Sequence, residues 1–108
     1  YHLGELIGYD DPATKAPAVR NTVAGSAADA RTSSSALAAL HARGAVFPVC
    51  GMAMGFFSEE AARKVGTDPA AVLADFRANL VPGAVEVVAG VIAVNRAQER
   101  GLSYVFVG

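Results

Sequence analysis

At 108 residues the chain has room for one small hydrophobic core and is expected to form a single domain over residues 1–108. Its apolar fraction is 53%, but 23 residues are alanine, so the core it can build is lean. A formal net charge of −1, with Lys and Arg (9) balancing Asp and Glu (10) and no charge runs, argues against nucleic-acid binding, and charges interrupt every stretch that approaches the roughly 18 apolar residues of a membrane span.

With Cys50 as the sole cysteine, the chain has no internal disulfide and no Cys-based zinc cage. His2 and His41 have no carboxylate or cysteine at ligand spacing, so neither a metal nor a cofactor is expected. The chain opens on Tyr1 rather than Met, as a processed product or a fragment does.

Residues 1–31 are expected to be irregular: from Tyr9 onward neither a helical nor a strand period is visible, and Asp10, Asp11 and Pro12 suit a turn. The α/β core is expected over 32–108. A helix is predicted over 33–43, with Ala36, Leu37, Ala39 and Leu40 at helical spacing and Gly44 behind its end. A short apolar strand comes next over 45–50, in which Pro48 favours an edge or bulge position. Ser58, with Glu59 and Glu60 behind it, reads as the start of a helix closed by Gly66. Asp68 and Pro69 open the next helix, whose apolar face carries Val72, Leu73, Phe76 and Leu80. Pro82 and Gly83 mark a turn, 84–88 a strand, 90–100 a helix stopped by Gly101, and 102–107 a last strand.

Strands alternating with helices pair in parallel, so the expected architecture is an α/β parallel sheet with helices on both faces. Three strands are few for that design, and the sheet is expected to be completed by N-terminal strands that this chain lacks or by a partner subunit.

Val46-Phe47-Pro48-Val49-Cys50-Gly51-Met52-Ala53-Met54, then Leu80-Val81-Pro82-Gly83-Ala84-Val85-Glu86-Val87-Val88-Ala89-Gly90-Val91, then Arg96-Ala97-Gln98-Glu99-Arg100-Gly101-Leu102-Ser103-Tyr104-Val105 resemble in order and spacing the C-terminal half of the DsrE/DsrF-like family, over roughly residues 35–108. Leu3-Gly4-Glu5-Leu6, Asp10-Asp11-Pro12-Ala13-Thr14 and Arg20-Asn21, with the two-helix insertion 58–80, are similar to an exported subgroup of it. The resemblance implies a three-layer α/β/α sandwich of DsrE-like, flavodoxin-like type, without the first strand, helix and second strand that precede this point in such relatives. It also implies a homo-oligomer, trimeric or hexameric, and, with the start at Tyr1, favours a periplasmic or secreted mature chain over the cytoplasmic one that a lone cysteine suits.

Cys50 is predicted at the carboxyl end of a parallel strand, where α/β folds present functional groups; a helix or turn opening at Gly51 would aim N–H groups at its sulfur and favour the thiolate. The resemblance makes Cys50 a persulfide carrier with a thiol-bearing acceptor protein as its partner; relay relatives often have Arg-Gly shortly after this cysteine, where this chain has Gly55-Phe56-Phe57. The plain alternative is a small buried hydrophobe. Gly51-x-x-x-Gly55 lacks the Lys-Ser/Thr of a phosphate loop. Met52, Met54, Phe56 and Phe57 form a dense apolar cluster, read as an oligomer contact or core rather than a cofactor pocket. His41 is expected at a helix end, and Asn95 and Arg96 on a solvated helix face. Two functions are therefore expected in competition: a sulfur carrier working through Cys50, and a noncatalytic assembly subunit.

Overall fold

The computed structural model describes residues 3–24 and 36–107. Its packing separates two compact units, one of Tyr1–Ala45 with Leu80–Gly83 and one of Val46–Asn79 with Ala84–Gly108.

In the first unit, helix α1 (Leu3–Ile7) leads into turns, and helix α2 (Leu37–Ala42) closes the segment. After α1, backbone bonds such as Asp11 N–H to the Ala16 carbonyl and Ala18 N–H to the Tyr9 carbonyl, both 2.9 Å, are joined by side-chain ones. The Ala13 N–H donates to Asp11 Oδ1 at 2.8 Å, so this aspartate is the turn former its place before Pro12 suggests. Asp11 also faces Arg20 at 3.5 Å, Asp10 and Pro17 form an isolated antiparallel bridge, and the Tyr9 and Thr22 hydroxyls are 2.9 Å apart. Helix α1 lies inside the segment expected to be irregular, because five residues are too few to show a period.

The second unit is a β-α-α-β-α arrangement: β1 (Phe47–Cys50), α3 (Gly51–Val65), α4 (Pro69–Ala78), β2 (Ala84–Val87) and α5 (Gly90–Glu99). The two strands are parallel, with Phe47 opposite Ala84, Pro48 opposite Val85, Val49 opposite Glu86 and Cys50 opposite Val87. A two-stranded sheet leaves each strand one open side, which is where proline is tolerated.

Helix α3 buries Met54, Ser58, Ala61 and Ala62, a stripe at helical spacing, and packs against α4, whose Val72 is fully buried. The two helices are cut apart by chemistry legible in the sequence. Gly66 takes the left-handed conformation (φ 70°) that ends α3, and Asp68 then accepts the Ala70 N–H at 3.3 Å with Pro69 in the first turn.

Among the described residues the sheet has two strands, with five helices, so the molecule is mixed α/β. Two expectations are corrected here. Residues 102–107 form no strand: after Leu102 N–H closes on the Ala97 carbonyl at 3.1 Å the segment pairs with nothing described. Alternation and β propensity make a strand only when the segment pairs with a neighbouring edge, and among the described residues these form no such pairing. The second correction concerns Ser58, which starts no helix. Helix α3 begins seven residues earlier at Gly51, and Ser58 is buried inside it, its hydroxyl donating to the Gly55 carbonyl at 2.7 Å. Glu59 and Glu60 accordingly sit mid-helix, and Glu60 faces Lys64 at 3.6 Å. The helix predicted over 33–43 is observed as α2 over Leu37–Ala42, and residues 33–35 lie outside the described residues.

Val72 is the larger of the two most fully buried side chains, so V72A is expected to destabilise the chain by about 2 kcal/mol, read as a lower urea midpoint at unchanged slope.

Candidate functional site

The parallel register brings two helix beginnings to one edge. β1 ends at Cys50 and α3 starts at Gly51; β2 ends at Val87, and α5 starts at Gly90, whose Cβ position would lie 3.7 Å from Cys50 Cβ. Helix N-termini carry unsatisfied N–H groups and the positive end of the peptide dipoles, so their meeting point favours an anion.

Cys50 occupies that point as the N-cap of α3, in extended conformation, half-buried and free. The Ala53 N–H donates to its Sγ at 3.4 Å. This bond is the first cause, and the Gly90 N–H the second, that hold the thiol below its usual range; burial works in the opposite direction and is outweighed. The Met52 N–H contributes least, being also donated to the Val88 carbonyl at 3.3 Å. Activation here is by backbone, with two helices contributing to one sulfur.

The approach of α3 to β2 is close. A Cβ on Gly51 would fall 2.9 Å from Glu86 Oε1 and 3.2 Å from the Val87 carbonyl oxygen, so glycine lets the helix begin directly behind the strand. Glu86 is held by Arg77 of α4, whose Nε and Nη2 donate to its two carboxylate oxygens at 2.9 and 2.7 Å. That fork keeps the Glu86 carboxyl below the usual carboxylate range, chiefly through the hydrogen bonds.

The sequence-predicted cluster divides. Met52 (69% exposed), Phe56 (63%) and Phe57 (53%) are open to solvent, with the two phenylalanine rings edge to face at 5.5 Å, whereas Met54 (7%) faces inward with the buried stripe of α3. His41, at the end of α2, has its Nδ1 3.1 Å from the Ala45 carbonyl oxygen. Arg96 pairs with Glu99 at 3.1 Å on α5. Among the described residues no three of His, Cys, Asp and Glu converge as metal ligands, and no helix is long and apolar enough to cross a membrane.

Three contributors escape a residue-by-residue reading of the sequence: the Gly90 N–H, Glu86 and Arg77. The first is reachable, since parallel pairing of 45–50 with 84–88 places the starts of the two succeeding helices side by side. The Arg77–Glu86 contact depends on how α4 packs and leaves no mark at sequence level.

No family model, curated protein or solved structure matches the chain.

A thiol held by backbone N–H groups stays ionised below the range of an ordinary cysteine, about pH 8.5. The midpoint of the pH dependence of the iodoacetamide reaction of Cys50 is therefore expected to lie below that of the same thiol in the urea-unfolded chain, with C50A abolishing the reaction.

Proposed function

We propose that this chain is a sulfur-handling protein of the DsrE-like kind, in which Cys50 carries a persulfide and delivers its terminal sulfur to a thiol on a partner protein. The observation that carries this reading is the Cys50 sulfur at the meeting of α3 and α5, hydrogen-bonded by the Ala53 N–H and further favoured as thiolate by the Gly90 N–H. Thiolate is the form that accepts sulfur.

The exchange is balanced without an oxidant. The Cys50 thiolate attacks the outer sulfur of a donor persulfide; a new S–S bond forms at Cys50, the donor's S–S bond breaks, and the donor leaves as thiolate. In the second half an acceptor thiolate attacks the outer sulfur on Cys50, and the Cys50 thiolate is the leaving group. A low thiol pKa serves this step especially well, because a more stable thiolate departs faster. N–H groups of fixed helices hold the same charge before attack and after departure, with no proton to be moved by a side-chain base.

A second reading is supported by the exposed Met52, Phe56 and Phe57, which lie together on the first half of α3. In it the chain is a noncatalytic subunit of a homo-oligomer, and these side chains are buried between copies. The resemblance to DsrE-like proteins favours a trimer or hexamer under either reading.

Incubation with a persulfide donor and subsequent intact-mass measurement is expected to show one added sulfur atom, removed by reductant and missing from C50S. An accessible, reduced Cys50 that takes up no sulfur would eliminate the carrier reading. The assembly reading predicts that F56S/F57S lowers the oligomeric mass in sedimentation, whereas an unchanged mass would remove that face from the assembly.

A further inference from the structure

Glu86, forked by Arg77, lies beside Gly51, the residue that follows the cysteine. Glu86 stands opposite Val49, one step before the Cys50–Val87 pair, and its Oε1 is 2.9 Å from where a Gly51 Cβ would be. Gly51 is the residue after Cys50 and the first of the helix whose N–H group holds the sulfur. A carboxylate there is a second anion at the same helix N-terminus. It shares the positive end of the helix that the thiolate needs, and as a like charge it disfavours the thiolate. Arg77 relieves that conflict by its two-pronged bond to Glu86, at 2.9 and 2.7 Å.

We propose that Arg77 is a positioning residue for Cys50: it pins and neutralises Glu86 at the first turn of α3, leaving the helix N-terminus to the sulfur. The inference deepens the carrier reading and rests on it, since it concerns the charge state in which Cys50 works. Other charges are poorly placed to do the same. Of the elements packed against β1, β2 carries Glu86 as its one charged residue. Helix α3 carries Glu59, Glu60, Arg63 and Lys64, all beyond its second turn, and the Arg96 and Glu99 of α5 pair with each other. On α4, Asp75 accepts the Asn79 side-chain amide at 3.2 Å.

The test is the pH dependence of Cys50 alkylation by iodoacetamide in the wild type, R77M, R77K, E86Q and R77M/E86Q, with circular dichroism confirming the fold of each. R77M leaves Glu86 charged and uncompensated, and its midpoint is expected to rise by about half a pH unit, which is about threefold slower reaction on the acid side of the midpoint. R77M/E86Q is expected to return to the wild-type midpoint, and R77K, which keeps the charge, to stay near it. A loss of packing alone does not reproduce this pattern, because the double variant lacks the same fork. An unmoved midpoint in R77M, or one in R77M/E86Q that stays where R77M puts it, overturns the proposal. Should R77M fail to fold, E86Q decides the matter: it leaves Arg77 charged and uncompensated, so a midpoint below wild type supports the proposal and an unmoved or higher one overturns it. No sulfur donor enters this titration. A chain with the expected Arg77 dependence that accepts no sulfur discards the carrier reading alone, and a chain that loads sulfur without that dependence discards only the role of Arg77.

Discussion

Because β1 and β2 run parallel with Cys50 opposite Val87, the helices that come after them begin side by side, and that register adds the Gly90 N–H to the Ala53 N–H already capped by the sulfur. An antiparallel pairing of the same strands would send α3 and α5 to opposite edges and leave the cysteine with one helix start instead of two. Parallel pairing requires that the chain, leaving β1 at its carboxyl end, be carried across to the opposite edge before β2 begins, and the segment containing α3 and α4 makes that crossover. The geometry at the edge then tightens through glycine: a Cβ on Gly51 would lie 2.9 Å from Glu86 Oε1 and 3.2 Å from the Val87 carbonyl oxygen, close enough that these neighbours would have to give way.

The packing behind this edge is modest. The buried apolar residues of the second unit are Met54, Ala61, Ala62, Val72 and Ala89, three of them alanines. Alanine stripes let α3 and α4 come close but bury little area per residue, so the stability of this unit rests on few larger contacts, Val72 foremost. Large apolar side chains are meanwhile turned outward, from Met52 and Phe56 on α3 to Val105 and Phe106 beyond α5. An α/β sheet with both faces covered would hide such residues, and in a two-stranded one they have too little structure to lie beneath.

Backbone activation of a thiol differs in kind from activation by a neighbouring histidine. A Cys–His pair exchanges a proton and titrates as a unit, whereas N–H dipoles are fixed and respond only to the charges around them. The sulfur is thereby made sensitive to any carboxylate at the same helix end, and the chain places one there in Glu86. Its pairing with Arg77 is half-exposed, the kind of ion pair that adds little to folding stability. Its consequence for the sulfur is local electrostatics, which acts over a few ångströms without requiring burial.

Much of this could be seen in the chain itself. The strand ending at Cys50, the Gly66 stop, the Asp68–Pro69 start, the strand over 84–87 and the helix behind it arise from capping chemistry and apolar runs, interactions made within a few residues of one another. Ser58 misled because a hydroxyl with two glutamates behind it has the same composition whether it caps a helix or bonds back to the Gly55 carbonyl inside one. Residues 102–107 misled for the opposite reason: a strand is a relation between two segments, and alternation in one of them does not create the other. By itself the sequence determined the Gly66 stop, the Asp68–Pro69 start and that a single thiol stands at a strand end. Tertiary structure alone decided that a second helix N-terminus would meet that thiol, that Met54 would turn inward while Met52 turned out, and that Arg77 would close on Glu86, because each depends on groups brought together by packing.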